Sequence, residues 1–205
     1  HPSTQIETIE PNDAGAGGWR VRATDAKGTA TWHARRLAIA AEAAESARWL
    51  RPFDTEAAAL MESFPYNRLV VASLGIERRG TTIPEGFGFL VPRGESLRIL
   101  GAILLSNFFP DRAPQGCVAM SIFIGGELDP SAFDLDDDEI FCIVRRDLRQ
   151  AIGWRGEVRS LHIERWARAI PQYDMRHGAR MRQVEAAEAR WPGLHLAGNW
   201  RGGVS

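Results

Sequence analysis

The chain reads as an α+β protein, a mixed β-sheet with helices packed against it. Three observations carry this. Four successive stretches in the middle of the sequence are β-rich or continuously apolar, with Pro or Gly between them. Stretches on either side of them place Ala, Leu, Ile and Met at helical spacing. The composition, 44% hydrophobic, 25% charged and 9% aromatic over 205 residues, is that of an ordinary folded globular chain.

Taken in order, Gln5 to Ile9 is extended, a loop runs through Pro11 to Gly18, and Trp19 to Ala23 and Thr29 to Ala40 are extended again on either side of Lys27-Gly28. This predicts a small antiparallel ribbon feeding a buried strand. Two short helices follow, Glu42 to Leu50 and Asp54 to Glu62, separated by Pro52, which cannot continue a helix. The four central strands are expected over Arg68 to Arg78, Gly86 to Pro92, Leu97 to Leu105 and Cys117 to Gly125. Phe133 to Ile152 then has a periodic face of Ile140, Ile143, Val144, Asp147, Leu148 and Ile152, and its acidic run lies where a helix start favours negative charge. A strand over Val158 to Trp166, a break at Pro171, a helix from about Asp174 to Arg190 and a strand at Leu194 to Ala197 complete the chain.

Several classes of function are set aside by composition. With 25 basic and 26 acidic residues the net charge is −1, so no global electrostatic case exists for a nucleic-acid partner. Two cysteines, Cys117 and Cys142, are too few for a disulfide framework and lack metal-ligand spacing. The longest apolar stretch, Ile99 to Phe109, is about half the ~20 residues of a membrane-spanning helix and contains Ser106 and Asn107.

The acidic run Asp134 to Glu139 lacks EF-hand spacing and its central Gly, and a helix start accounts for it, so no metal is assigned. Gly15-Ala-Gly-Gly18 precedes a strand instead of linking a strand to a helix, which makes it a hairpin loop and not a dinucleotide loop. His33, His162, His177 and His195 share no ligand spacing and form no recognisable triad, and hydrolase and phosphate-loop signatures are missing. No catalytic acid or base is assigned.

What remains are glycines beside bulky residues. Residues two apart in a strand share a face, so Gly86 and Gly88 fall with Leu90, Gly101 with Ile103, and Gly125 with Phe123. Three such strands side by side predict an apolar slot for something large and flat. The alternative, that these glycines mark bulges or strand ends, stays open on the residues alone. At the C-terminus, Leu194 to Ala197 runs into Gly198-Asn199-Trp200-Arg201-Gly202-Gly203, a strand and glycine turn that let backbone approach a cofactor; a structural turn is the alternative.

The motifs Gly86-Phe-Gly-Phe-Leu-Val-Pro92, Leu100-Gly101 through Phe109-Pro-Asp-Arg-Ala-Pro114, Phe123-Ile-Gly-Gly126, Asp147-Leu148, Trp166 to Tyr173, His177 and Pro192-Gly-Leu-His-Leu-Ala-Gly-Asn199 stand in one order. In that order and spacing the chain resembles the oxygen-dependent, FAD-containing protoporphyrinogen oxidases of the flavin amine oxidase superfamily, most strongly from Gly86 onward. The resemblance implies a partial FAD-binding domain segment over residues 1–63, a substrate-binding β-sheet domain over 64–170 and a truncated return to the FAD-binding domain over 171–205. It further implies a C-terminal fragment lacking the N-terminal Rossmann segment, the pyrophosphate loop and the arginine that pairs with a substrate propionate.

Carried over by position, the resemblance places substrate contacts on Leu90, Ile103 and Phe123, and FAD contacts on Ile6, Trp166, Gly198, Asn199, Gly203, Val204 and Ser205. Ile103 stands where leucine is frequent, and Ala40-Ala41-Glu42 departs from an A-x-P pattern. The implied partners are FAD, a porphyrinogen and O2, with no nucleic acid, membrane contact only through a domain outside this chain, and a homodimer among the assemblies open to it. The implied location is cytoplasmic or peripheral on a membrane. A carotenoid-desaturase-like flavoenzyme and a non-catalytic porphyrin-binding remnant are the alternatives.

Overall fold

The computed structural model describes residues 3–12, 17–78 and 83–203. In chain order the elements are β1 (Gln5–Pro11), β2 (Trp19–Asp25), β3 (Gly28–Ala34), β4 (Leu37–Ala40), α1 (Ala43–Leu50), α2 (Thr55–Glu62), β5 (Tyr66–Glu77), β6 (Gly88–Leu90) and β7 (Ile99–Ile103). They continue with α3 (Leu105–Phe108), β8 (Cys117–Gly125), α4 (Asp137–Ile152), β9 (Val158–Pro171), α5 (His177–Arg190), β10 (Leu194–Ala197) and α6 (Asn199–Gly202). Contacts divide the chain into His1–Pro65 with Pro171–Ser205 as one unit and Tyr66–Ile170 as the other.

The central unit is a five-stranded sheet in the order β6-β7-β8-β5-β9 with α4 packed on one face. The pairs β6/β7, β7/β8 and β8/β5 are antiparallel. Period-two alternation separates two faces. Val70, Ala72, Leu74 and Ile76 of β5 and Val118, Met120, Ile122 and Ile124 of β8 are buried in one cluster with Ile140, Val144 and Leu148 of α4. The residues between them, Val71, Ser73, Gly75, Ala119, Ser121 and Phe123, point the other way and are only half-buried.

Helix α4 starts later than the acidic run suggests. Pro130–Asp134 is a short 3-10 turn, and Asp136 is the cap, accepting from the Glu139 amide at 2.8 Å while the Glu139 carboxylate accepts from the Asp136 amide at 3.0 Å. One helical residue inside the core is charged. Asp147 is fully buried, and its carboxylate accepts from the Arg98 amide (2.7 Å), the Ile99 amide (3.1 Å) and Arg146 Nε (2.7 Å). It thereby ties α4 to the start of β7. Next to it, Arg98 forms a two-pronged pair with Asp129 at 2.7 and 3.0 Å. That hydrogen bond is the main cause holding the Asp129 carboxyl below its usual range, against burial that would raise it.

The other unit holds an antiparallel sheet, β1-β2-β3, and a separate parallel pair, β4 with β10, in the register Leu37 with Leu194 through Ala40 with Ala197. Parallel and antiparallel pairing therefore both occur, in different sheets. Trp19 of β2 is buried against Phe53 and Trp191, with ring centroids 5.2 and 6.3 Å away. Asp54 caps α2 by accepting from the Ala57 amide at 2.8 Å, and the same carboxylate receives Trp191 Nε1 at 2.8 Å and Arg190 Nη2 at 3.0 Å. Burial would raise its pKa; the hydrogen bonds from Ala57, Trp191 and Arg190 outweigh that and hold it lowered. Strand β9 extends five residues past the expected end at Trp166, and α3 lies where sequence predicted the end of a strand and a connection. No described helix is long and apolar enough to cross a membrane.

Candidate functional site

The register puts the three predicted contact residues on the face of the central sheet that α4 does not cover. Leu90 pairs with Gly101, Gly101 with Phe123, and Phe123 with Val71. One row along, Gly88 pairs with Ile103, Ile103 with Ser121, and Ser121 with Ser73. Leu90 is 86% exposed, whereas Ile103 and Phe123 are half-buried. Neither row contains a titratable group, so these residues can seat and orient an apolar ligand; the titratable side chains of this face lie towards β9, where His162 lines a cavity with Ser73 and Ala119.

Of the two readings left open for the glycines, the structure supports bulges and strand ends. A Cβ on Gly88 would collide with the Ala102 carbonyl oxygen, and one on Gly101 with the Phe89 carbonyl oxygen, so neighbouring backbone, and not an open slot, occupies the missing side-chain space. Gly101 sits at a register shift between β7 and β8, which is a bulge. Gly86 precedes β6 in a bend, and Gly125 ends β8. The bulky residues share a face because of strand register; the glycines let β6 and β7 approach closely enough to achieve it.

Edge strand β6 is only three residues long, and side chains that the sequence reading passed over hold it. Asn107 of α3 donates to the Pro84 carbonyl at 3.1 Å and to the Gly86 carbonyl at 3.0 Å. Phe108 packs edge-on against Phe87 at 4.8 Å. The polar residue inside an otherwise apolar stretch was the available signal. At the far edge of the sheet, Arg165 of β9 reaches Asp137 at 2.7 Å on the α4 side, so the next residue, Trp166, points to the open face, where it is 51% exposed.

In the other unit, Gly198, Asn199 and Gly203 come together around the carboxyl ends of β4 and β10. Trp200 anchors this turn from beneath. It is fully buried, and its indole donates to the Ala41 carbonyl at 3.0 Å. Gly198 has φ +157 and no room for a side chain, since a Cβ there would meet Trp200 and, at 2.7 Å, the Ala41 oxygen. Tyr173 donates its hydroxyl to the Asn199 carbonyl. Glu188 of α5 receives Arg201 at 2.7 and 2.9 Å and the Leu196 amide at 2.7 Å. Burial alone would raise the Glu188 pKa; the Arg201 and Leu196 hydrogen bonds outweigh it and lower it. The turn is thus fixed from the inside while Asn199 and Gly203 stay exposed.

Ile6 stands 36% exposed on β1, in a different sheet from this turn, and Trp166 belongs to the other unit. Val204 and Ser205 lie outside the described residues. Ligands of parallel sheets sit at the carboxyl ends of the strands, so the paired ends of β4 and β10, followed by a glycine backbone and exposed Asn199, fit one end of a flavin. Among the described residues no glycine loop joins a strand to a long helix.

The candidate site thus consists of an open sheet face in one unit and, in the other, a parallel strand pair ending in a glycine turn. The chain overlays on a protein from Exiguobacterium provisionally assigned as a protoporphyrinogen oxidase with a TM-score of 0.72 at 20% identity, over 98% of this chain and 43% of that one. It overlays on a putrescine oxidase double mutant with a TM-score of 0.66 at 13% identity, over 96% and 42%.

The chain belongs to the flavin containing amine oxidoreductase family, which it matches over residues 1–204. It is 35% identical over 144 residues to the mitochondrial protoporphyrinogen oxidase of Nicotiana tabacum, covering 68% of this chain and 29% of that protein. It is 30% identical over 115 residues to the coproporphyrinogen III oxidase of Bacillus subtilis, covering 56% and 24%. The chain therefore spans less than a third of the length of either curated relative.

Proposed function

We propose that this chain supplies the substrate-binding sheet and part of the flavin-binding unit of an enzyme that oxidises protoporphyrinogen IX to protoporphyrin IX, with FAD as cofactor and O2 as acceptor. The observation that carries this is the placement of Leu90, Ile103 and Phe123 together on the open face of the sheet, in rows without a charged residue, together with similarity to two porphyrinogen oxidases. A porphyrinogen is a puckered ring of four pyrroles whose faces and edges are largely apolar, and such a surface matches them. A bound flavin would supply the hydride acceptor for the six-electron oxidation, taken as three two-electron oxidations, with O2 as the proposed final acceptor, released as hydrogen peroxide.

The chain's own residues orient. Phe123 stacks on a pyrrole ring, while Leu90 and Ile103 wall the macrocycle and exclude water. At the other unit, the backbone at Gly198, Asn199 and Gly203, with Val204 and Ser205 following, is proposed to hold the ring end of FAD, and Ile6 its adenosine end. Trp166 completes the proposed flavin contacts. Similarity to the coproporphyrinogen III oxidase makes coproporphyrinogen III the second candidate substrate.

The test uses the natural full-length protein carrying this sequence, reconstituted with FAD. Porphyrin fluorescence and peroxide are followed with each porphyrinogen in turn. Protoporphyrin formation with three peroxides per ring is expected. Faster turnover of coproporphyrinogen III reassigns the substrate, and inactivity toward both defeats the proposal.

A further inference from the structure

Helix α4 leaves the sheet with three arginines in its last two turns, Arg145, Arg146 and Arg149, and Arg155 follows just beyond its end. All four line one open concavity of about 400 Å3, together with Cys142 and Trp154, and no carboxylate lines it. This is unusual in a chain with 25 basic and 26 acidic residues.

Their possible partners are otherwise engaged. Arg146 alone has an ion pair, with Asp147, whose carboxylate is also bound by two backbone amides. Arg145 lies over the Phe141 ring at 5.6 Å. Among the described residues, the side chains of Arg149 and Arg155 make no hydrogen bond or ion pair. The carbonyls of Leu148 and Arg149, which cations at a helix end commonly meet, already accept from the amides of Trp154 and Gly153 at 3.3 and 3.1 Å. Apart from Asp147, the acids of α4 sit in its first turn, roughly 15 Å or more from Arg149 at 1.5 Å per residue, beyond a Debye length at physiological salt. Trp154 adds a second observation: it is 2% exposed, and its indole N–H has no acceptor among the described residues.

Like charges three and four residues apart on a helix disfavour it slightly, and a bound anion reverses that sign. Guanidinium forks match the oxygens of a phosphate better than those of any single-point acceptor. The volume admits a phosphate with part of the molecule that bears it. We infer that this concavity, on the opposite side of α4's sheet from the open apolar face, is a binding site for a phosphate group, carried either by a soluble molecule or by a lipid headgroup.

The inference is independent of the porphyrinogen assignment and is tested without turnover. The natural full-length protein is titrated with inorganic phosphate by calorimetry at low salt. In parallel it is floated with phosphatidylcholine vesicles with and without phosphatidic acid. Arg149→Gln combined with Arg155→Gln removes the two unpaired cations, and Arg182→Gln on the exposed side of α5 is the control. An unchanged denaturant midpoint shows that the double variant is folded. Saturable phosphate binding, weakened about tenfold in the double variant and kept in the control, assigns a soluble phosphate. Flotation that requires phosphatidic acid and is lost in the same variant assigns a headgroup. Binding to neither probe, or equal binding by the double variant, overturns the site.

Discussion

Asp147 and Leu90 mark opposite ends of what one side chain can do in the central unit. Asp147 is an acceptor with no exposure, so Asp147→Ala leaves the Arg98 and Ile99 amides buried and unpaired; a loss of about 3 kcal/mol in urea unfolding is expected. Asp147→Asn keeps one acceptor oxygen and should lose less. Leu90, 86% exposed, has almost no packing to lose. Leu90→Ala should leave stability within about 0.5 kcal/mol while raising KM for the porphyrinogen in the full-length enzyme, and an unchanged KM would remove Leu90 from the site. Phe123→Ala should lower kcat/KM, read by steady-state kinetics. Of these three, Leu90 and Phe123 were legible in the sequence through strand alternation. The role of Asp147 was not, because helical spacing marks a face and does not say which amides end up opposite it.

Among the elements, helix ends and latches decide most. Asp136→Ala removes the cap of α4 and should cost about 1 kcal/mol, visible as faster amide exchange confined to residues 137–140. The α2 and α5 helices are joined through Asp54, and β10 is joined to α5 through Glu188, both carboxyls having lowered pKa values in the fold. A lowered folded value means these groups stabilise fully above their unfolded pKa values near 4. The contribution is lost as pH falls through the folded values. Thermal melts should therefore fall in midpoint below about pH 4, and Asp54→Asn should flatten that dependence. Most elements could be read from periodicity. Helix α3 could not, since one turn carries no period, and β9 runs past its predicted end, where the Ile170 amide donates to the Asn67 side chain at 3.1 Å. For the glycines both readings stayed open, because sequence shows that a side chain is missing, not whether a ligand or a neighbouring strand fills the space; at Gly88 and Gly101 the neighbouring strand does.

For the molecule as a whole, the two units differ in completeness as binding scaffolds. The central unit presents a full sheet with a covered and an open face. Among the described residues, the parallel pairing of the other unit is confined to two strands, a pairing normally found inside larger, doubly covered sheets. With no phosphate loop, the 205-residue chain by itself should lose FAD on gel filtration. Retained flavin absorbance in the protein peak would show that the turn at Gly198 and Asn199 binds more strongly than its geometry suggests.

The alternation along β5 and β8 also separates two kinds of selection. Changes at Ala72, Ile122 or Ala102 are felt by the folding equilibrium, because those side chains are packed against α4 and its neighbours. Changes at Val71, Ser73, Ser121 or Phe123 are free to track whatever lies against the sheet. A lineage can therefore drift from one ligand shape to another one residue at a time, without first accumulating spare stability. A laboratory library confined to those odd-numbered positions should keep most of its members folded.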